Sequence, residues 1–397
     1  MHNVINFENT ENAFHYKSDR KLRKAAFIYT IISKAWLVKL AKPTTNFLLR
    51  IGFPIDPFLK HTVFEQFCGG ETISSCQTTV NDLYKTGKVH SILDYSVEGK
   101  TDEAFFDHTL QTMLEVCKHA MDSKAIPFLV FKPTGLGRSE IFEKISANET
   151  MTTEEIEEWH RITQRFDTLC SRVATTDHLK IMIDAEESWL QNAVDLLVEK
   201  MMLKHNVERT VIYTTVQMYR WDRLKYLQHL HAFGNDNNIR IGIKLVRGAY
   251  MEKERERARI KGYKSPICSD KRVTDLNFDD GISFAMDHLE VFDIFIGTHN
   301  EISCRILIKK LMERGLKNDD PRIWFGQLYG MSDHISYNLS ANGYNTSKYV
   351  PFGTLKEVIP YLFRRAEENT SVGTQTSREL SLIKKEIKRR KKVAVAQ

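Results

Sequence analysis

The sequence predicts an α/β protein: a closed (β/α)8 barrel with a helical extension ahead of it. Three observations lead there. From about residue 87 onward, short β-rich runs alternate with longer amphipathic stretches, the rhythm of βα units around a parallel sheet. Eight such runs occur, which favours closure into a barrel over an open sheet. A polar residue stands at or just past the end of each run, the rim on which barrels of this kind carry their chemistry.

Residues 1–86 read as helices and loops, broken at Pro43, Pro54 and Pro57 and turned at Gly69-Gly70. Their most apolar stretch, Ala25 to Ala41, is interrupted by Lys34 and Lys39. It is too short and too charged to span a bilayer, and packing onto the main body is the expectation. The β-rich runs are Val89–Tyr95, Ile126–Lys132, Lys180–Asp184, Thr210–Gln217, Arg240–Val246, Phe292–Gly297, Arg322–Leu328 and Lys348–Phe352. Between them lie charged amphipathic stretches such as Thr153–Arg172 and Ala193–His205, and Thr152-Thr153-Glu154-Glu155 reads as a helix start. The polar residues at the run ends are Asp94, Lys132, Asp184, Gln217, Arg247, His299, Gln327 and Tyr349.

At 397 residues the chain can bury a sizeable core, and 42% hydrophobic with 27% charged content is that of an ordinary globular protein. The net charge of +6 is concentrated: Arg378 to Gln397 holds eight Lys or Arg against two acids, so the rest of the chain is balanced. That argues against a nucleic-acid groove, which needs basic residues spread over a folded face. Six scattered cysteines (68, 76, 117, 170, 268 and 304) show no metal-ligand spacing and predict free, buried thiols in a reducing compartment.

Tyr361, Arg364, Arg365 and Glu368 stand at relative positions 0, 3, 4 and 7, so on a helix they share one face. Two adjacent guanidiniums repel unless an anion lies between them, and paired donors suit a carboxylate. Flanked by a phenol and an acid, they fit a small zwitterion; a solvated, ion-paired helix face is the plain alternative. Arg247-Gly248-Ala249 joins a cation to two small residues, so that an anionic group can approach the backbone, although a simple glycine turn reads the same way. Thr298-His299-Asn300 offers three polar side chains to a phosphate, or merely caps a helix. Asp184-Ala185-Glu186-Glu187 crowds three acids at one strand end, where Lys132 or Lys244 can supply the cation. Gly135-Leu136-Gly137 lacks the third glycine of a dinucleotide fingerprint, and no Walker loop, H-E-x-x-H or G-x-S-x-G occurs.

Taken together, D-A-E-E at 184–187, K-L-V-R-G-A-Y at 244–250, T-H-N at 298–300, G-Q-L-Y-G-M at 326–331, K-Y-V-P-F-G at 348–353 and Y-L-F-R-R-A-E-E-N at 361–369 resemble the proline dehydrogenase family. The resemblance implies a distorted TIM-type barrel over 87–375, whose last helix lies over the barrel mouth. A helical segment, 1–86, packs on it, and 376–397 forms a basic tail, expected to be disordered or a frayed helix. It implies FAD as cofactor and oxidation of the C5–N bond of L-proline by hydride transfer, giving Δ1-pyrroline-5-carboxylate, with electrons passed to a membrane quinone. Arg364 and Arg365, assisted by Lys132, would bind the proline carboxylate. Tyr349 would pack on the ring beside Leu328, Tyr250 and Tyr361, and Glu368 would support the arginines or the flavin. Asp184 and Lys244 would line the active site, while Ala185, Gln217, Arg247, Gly248, Ala249, Thr298 and His299 would hold FAD.

Many bacterial members read R-L-V-K-G-A-Y; this chain has Lys244 and Arg247 in those places, which alters the contact expected near the flavin. A hydroxyproline dehydrogenase and a non-catalytic barrel that binds an amino acid or flavin are the rival readings. A full tyrosine at 349 leaves little room for a 4-hydroxyl and favours proline. No aldehyde dehydrogenase module follows the barrel, so a monofunctional enzyme is expected. The polar, acidic start lacks an Arg-rich presequence, which favours a cytoplasm over a mitochondrial matrix. The basic tail adds the expectation of peripheral contact with an inner membrane.

Overall fold

The structure, a computed structural model, describes residues 5–34, 36–38, 40, 43–45, 56–95, 102–371 and 373–396, and for 366–371, 373–375 and 396 the backbone alone. Eight strands form a closed barrel in sequence order. They are β1 (His90–Tyr95), β2 (Phe128–Phe131), β3 (Lys180–Ile183), β4 (Ile212–Gln217), β5 (Ile241–Val246), β6 (Phe292–Gly297), β7 (Ile323–Leu328) and β8 (Thr346–Phe352). Seven fall inside the runs that predicted them, trimmed by zero to three residues; β8 begins two residues before its run, at Thr346, and helices alternate with the strands as expected.

The chain divides into two compact units. The first comprises residues 1–97 and 327–397, carrying β1, β8 and the end of β7. Here β1 and β8 pair in parallel, Ile92 opposite Tyr349. The helix Asp19–Ile32 turns Leu22, Ala25, Ile28, Tyr29 and Ile32 inward, the spacing of one helical face. They join a core with Phe67 and Val358 and with Leu382 and Ile383 of the C-terminal helix Gly373–Ala396. The apolar stretch beginning at Ala25 therefore packs, as its composition predicts, as far as the described residues go. The tail differs from expectation: it is a packed helix, because Leu382 and Ile383 bury apolar surface. Arg390 pairs with Asp19 and Arg389 with Glu11, so part of the basic charge is neutralised.

The second unit, residues 98–326, carries β2 to β6 and most of β7. Its helix Thr153–Ala174 begins with a capping box in which Thr152 and Glu155 each bond the other's backbone N–H. The barrel floor is aromatic: Phe128 meets Tyr213, Phe295 and Trp324 edge to face at 5.1–5.5 Å. Gly242 on β5 makes room, since a Cβ there would come 2.5 Å from the Tyr213 ring. Side chains alternate along a strand, so Thr215 and Gln217 rise above Tyr213 on β4, and Lys244 above Gly242 on β5. The floor is apolar and the upper layers polar. Chemistry belongs at the top.

All six cysteines are free and buried, as predicted. Burial pushes the thiols up, Cys76 and Cys304 to about 12, which leaves them unreactive. None of the described helices is long and apolar enough to cross a membrane.

Candidate active site

In the second unit the strand ends converge on one ion pair. Lys244 donates to the carboxylate of Asp184, the residue after β3, and both side chains are largely buried. Lys244, one of the two lysines the sequence offered, meets Asp184. The register places Thr215 directly beside Lys244, and its buried hydroxyl has no hydrogen-bond partner. A buried polar atom without a partner is costly, so its presence next to the ion pair marks a surface shaped for a polar ligand. Sequence reasoning missed Thr215, which reads as one more β-branched strand residue.

The other acids at this corner separate. Glu187 pairs with Lys253. Glu186 accepts from the backbone N–H of Thr134 at 3.0 Å and its hydroxyl at 2.7 Å. Burial, with Glu187 adding to it, pushes the Glu186 carboxyl up to about 7 against those bonds and the nearby charge of Lys132. Lys132, the residue after β2, is half-buried. Gln217 at the top of β4 donates to the Glu186 carbonyl at 2.8 Å and, more weakly, toward that of Ala185 at 3.4 Å. It thereby fixes the turn that carries Asp184.

Around β5 and β6 a second cluster forms. Arg247 donates to Asp275 at 2.8 Å, to the Thr298 hydroxyl at 2.9 Å and to Ser303 at 3.0 Å, its guanidinium lying 4.3 Å from the Phe278 ring centroid. Three of its five N–H donors are thus committed, leaving two to meet an anion. Gly248 has φ +131°, and a Cβ would sit 2.4 Å from the Tyr219 ring, so glycine is required. With Ala249 it is exposed, which leaves backbone accessible beside the cation. Tyr250, half-buried, begins the helix Met251–Lys261. Asn300 caps the helix Glu301–Glu313 by accepting from the N–H groups of Ile302 and Ser303, so the plain reading holds for that residue. Thr298 is buried and engaged by Arg247, and His299 is half-buried.

In the first unit, Tyr361, Arg364 and Arg365 lie on the helix Leu355–Ser371, as their spacing predicts. Tyr361 is buried in the core cluster, the arginines are half-buried, and the Arg365 guanidinium lies 5.2 Å from the Tyr361 ring centroid. The side chain of Glu368 lies outside the described residues. Leu328 and Tyr349, both half-buried, are tied through the next residue of β7's turn: Tyr329 N–H donates to the Tyr349 carbonyl at 2.8 Å.

The family model for proline dehydrogenase matches residues 76–378. The chain is 34% identical over 324 residues to the carbapenem antibiotics biosynthesis protein CarD of Pectobacterium carotovorum subsp. carotovorum, covering 82% of this chain and 83% of that one. It is 29% identical to mitochondrial proline dehydrogenase 1 of Dictyostelium discoideum, over 96% and 74% of the two chains. The fold resembles proline utilization A (PutA) of Bdellovibrio bacteriovorus, solved after inactivation by N-propargylglycine, with a TM-score of 0.72 at 17% identity. That likeness covers 91% of this chain but 38% of the larger protein. A barrel with these strand-end residues, matched by the family model over most of its length, belongs to the proline dehydrogenase family.

Proposed function

We propose that this chain oxidises L-proline to Δ1-pyrroline-5-carboxylate with a bound FAD, in proline catabolism. The observation that carries the reading is the buried Lys244–Asp184 pair, set beside the unpartnered Thr215 hydroxyl at the top of a barrel of this family. Its surroundings fit a flavin nucleotide. Arg247 with two spare donors and the exposed Gly248-Ala249 backbone suit a pyrophosphate, while Gln217, Ala185, Thr298 and His299 supply polar edges. When bound, the flavin supplies the two-electron chemistry. The protein contributes orientation and charge. A fixed ammonium at Lys244, held by Asp184, favours an electron-rich partner over a neutral one.

Arg364 and Arg365, with Lys132, bind the proline carboxylate in this reading, and Tyr250, Leu328, Tyr349 and Tyr361 enclose its ring. Glu368 supports the arginines or the flavin. The barrel proper is taken as 87–375, with 1–86 and 376–397 accessory. Electrons leave to a quinone, and the exposed Lys384, Lys388, Lys391 and Lys392 offer a peripheral contact with anionic lipid, worth about 1 kcal/mol per residue. A cytoplasmic or matrix location, peripheral to the inner membrane, follows from that acceptor.

Proline-dependent reduction of a dye acceptor by the purified protein tests the reading. Turnover with L-proline supports it; a flavin-loaded protein inert toward proline contradicts it.

A further inference from the structure

The turn Leu328-Tyr329-Gly330-Met331-Ser332 leaves β7 and enters the helix Asp333–Ala341. Its backbone groups are gripped from four directions. Lys348 on β8 donates to the Met331 carbonyl and, at 3.5 Å, toward that of Leu328. The Gly330 carbonyl accepts from the Tyr29 hydroxyl at 2.7 Å and Gln66 at 2.9 Å. Ser332 N–H donates to Glu379 of the C-terminal helix at 2.8 Å. Gly330 has φ +77° and sits so close to the Gln66 carbonyl that a Cβ would come within 2.0 Å, so the turn has no slack.

The grip is charged and dry. Lys348 is 0% exposed and Asp333 2%, and they pair at 2.9 Å. The other Asp333 oxygen accepts from Lys17 at 2.8 Å and from the Tyr16 hydroxyl at 2.6 Å. Burial pushes the Asp333 carboxyl up, but the two ammonium groups overcome it and hold the group well below the usual carboxylate range. Remove Lys17 and this Asp333 oxygen keeps the Tyr16 hydroxyl but loses its charged donor, so the buried geometry must shift. A continuous path therefore runs from Lys17, ahead of the barrel, through Asp333 to Lys348, whose ammonium holds the carbonyls on either side of the turn. Leu328 opens that turn, and Tyr349 follows Lys348.

We propose that Lys17, Asp333 and Lys348 are positioning residues for the substrate pocket, by which the N-terminal segment sets how Leu328 and Tyr349 meet the proline ring. This rests on the reading above for those two residues. The expected signature is a change in KM with little change in kcat or flavin content, because no member of the path touches the reacting atoms.

The test compares Lys17→Met, Tyr16→Phe and Lys17→Arg in the full-length protein. Steady-state kinetics with proline are read beside amide hydrogen exchange over residues 328–332 and 349. Lys17→Met is expected to raise KM about tenfold and to speed exchange in that turn. Tyr16→Phe, which keeps both cations, should do the same more weakly, and Lys17→Arg should restore both toward wild type. Exchange at the turn unchanged in Lys17→Met and Tyr16→Phe overturns the proposal, as does faster exchange with an unaltered KM. A wild-type protein that does not oxidise proline sinks the functional reading instead, and the exchange data still decide whether Lys17 holds the turn.

Discussion

Lys244 on β5 reaches across the end of β4 to pair with Asp184, the first residue beyond β3, and the two are shielded from solvent together. Neither charge is stable there alone. Breaking a buried pair by removing one partner leaves an uncompensated charge and costs about 3–5 kcal/mol, whereas removing both costs less. We expect Asp184→Asn and Lys244→Met each to destabilise the fold, and the double variant to lose less than their sum. Urea unfolding of the four proteins measures the coupling; strict additivity contradicts the pair.

Arg365→Met should weaken proline binding without loosening the flavin. Truncating one member of a desolvated, hydrogen-bonded charge pair costs about 2–5 kcal/mol. KM for proline should rise at least tenfold while the flavin-to-protein ratio holds. Flavin loss at constant KM reverses the assignment.

Substrate choice should follow Tyr349. Half-buried midway along β8, it leaves little room for a ring hydroxyl in the proposed pose. Tyr349→Ser is expected to raise kcat/KM for trans-4-hydroxyproline relative to proline by about tenfold, the scale of a small change in pocket volume. A wild type that already prefers hydroxyproline would overturn the choice of proline.

Stability should fall across neutral pH because of Glu186. Its folded-state value of about 7 lies above the ordinary carboxylate value. The folded protein therefore holds the proton more tightly than the unfolded chain. The stabilisation is complete below the unfolded pKa and is lost as pH rises through 7, a span worth on the order of 3 kcal/mol. Glu186→Gln keeps the neutral form at every pH. Denaturant midpoints from about pH 5 to pH 8 should slope less for the variant than for wild type; parallel slopes contradict the assignment.

Much of this was legible in the chain. The β-rich runs located all eight strands because buried parallel strands are nearly continuous apolar segments, and the spacing of Tyr361, Arg364 and Arg365 revealed their helix. Asp184 was paired correctly only as one of two alternatives, since sequence separation does not say which lysine reaches it. Lys348 and Asp333 escaped notice because a fully buried charge pair is a tertiary fact that no local pattern carries. The tail misled through composition: the charge run overshadowed Thr376, Glu379, Leu382, Ile383 and Glu386, which lie buried at helical spacing. Leu382→Ala should accordingly cost about 2–5 kcal/mol, read by thermal or urea unfolding, where a disordered tail would lose nothing.

The central claim, that proline delivers two electrons to a flavin held on this barrel, is tested by one spectrum. Purified protein under anaerobic conditions should show the visible absorbance band of an oxidised flavin. That band should bleach when L-proline is added. A flavin band unchanged by saturating proline would contradict the account.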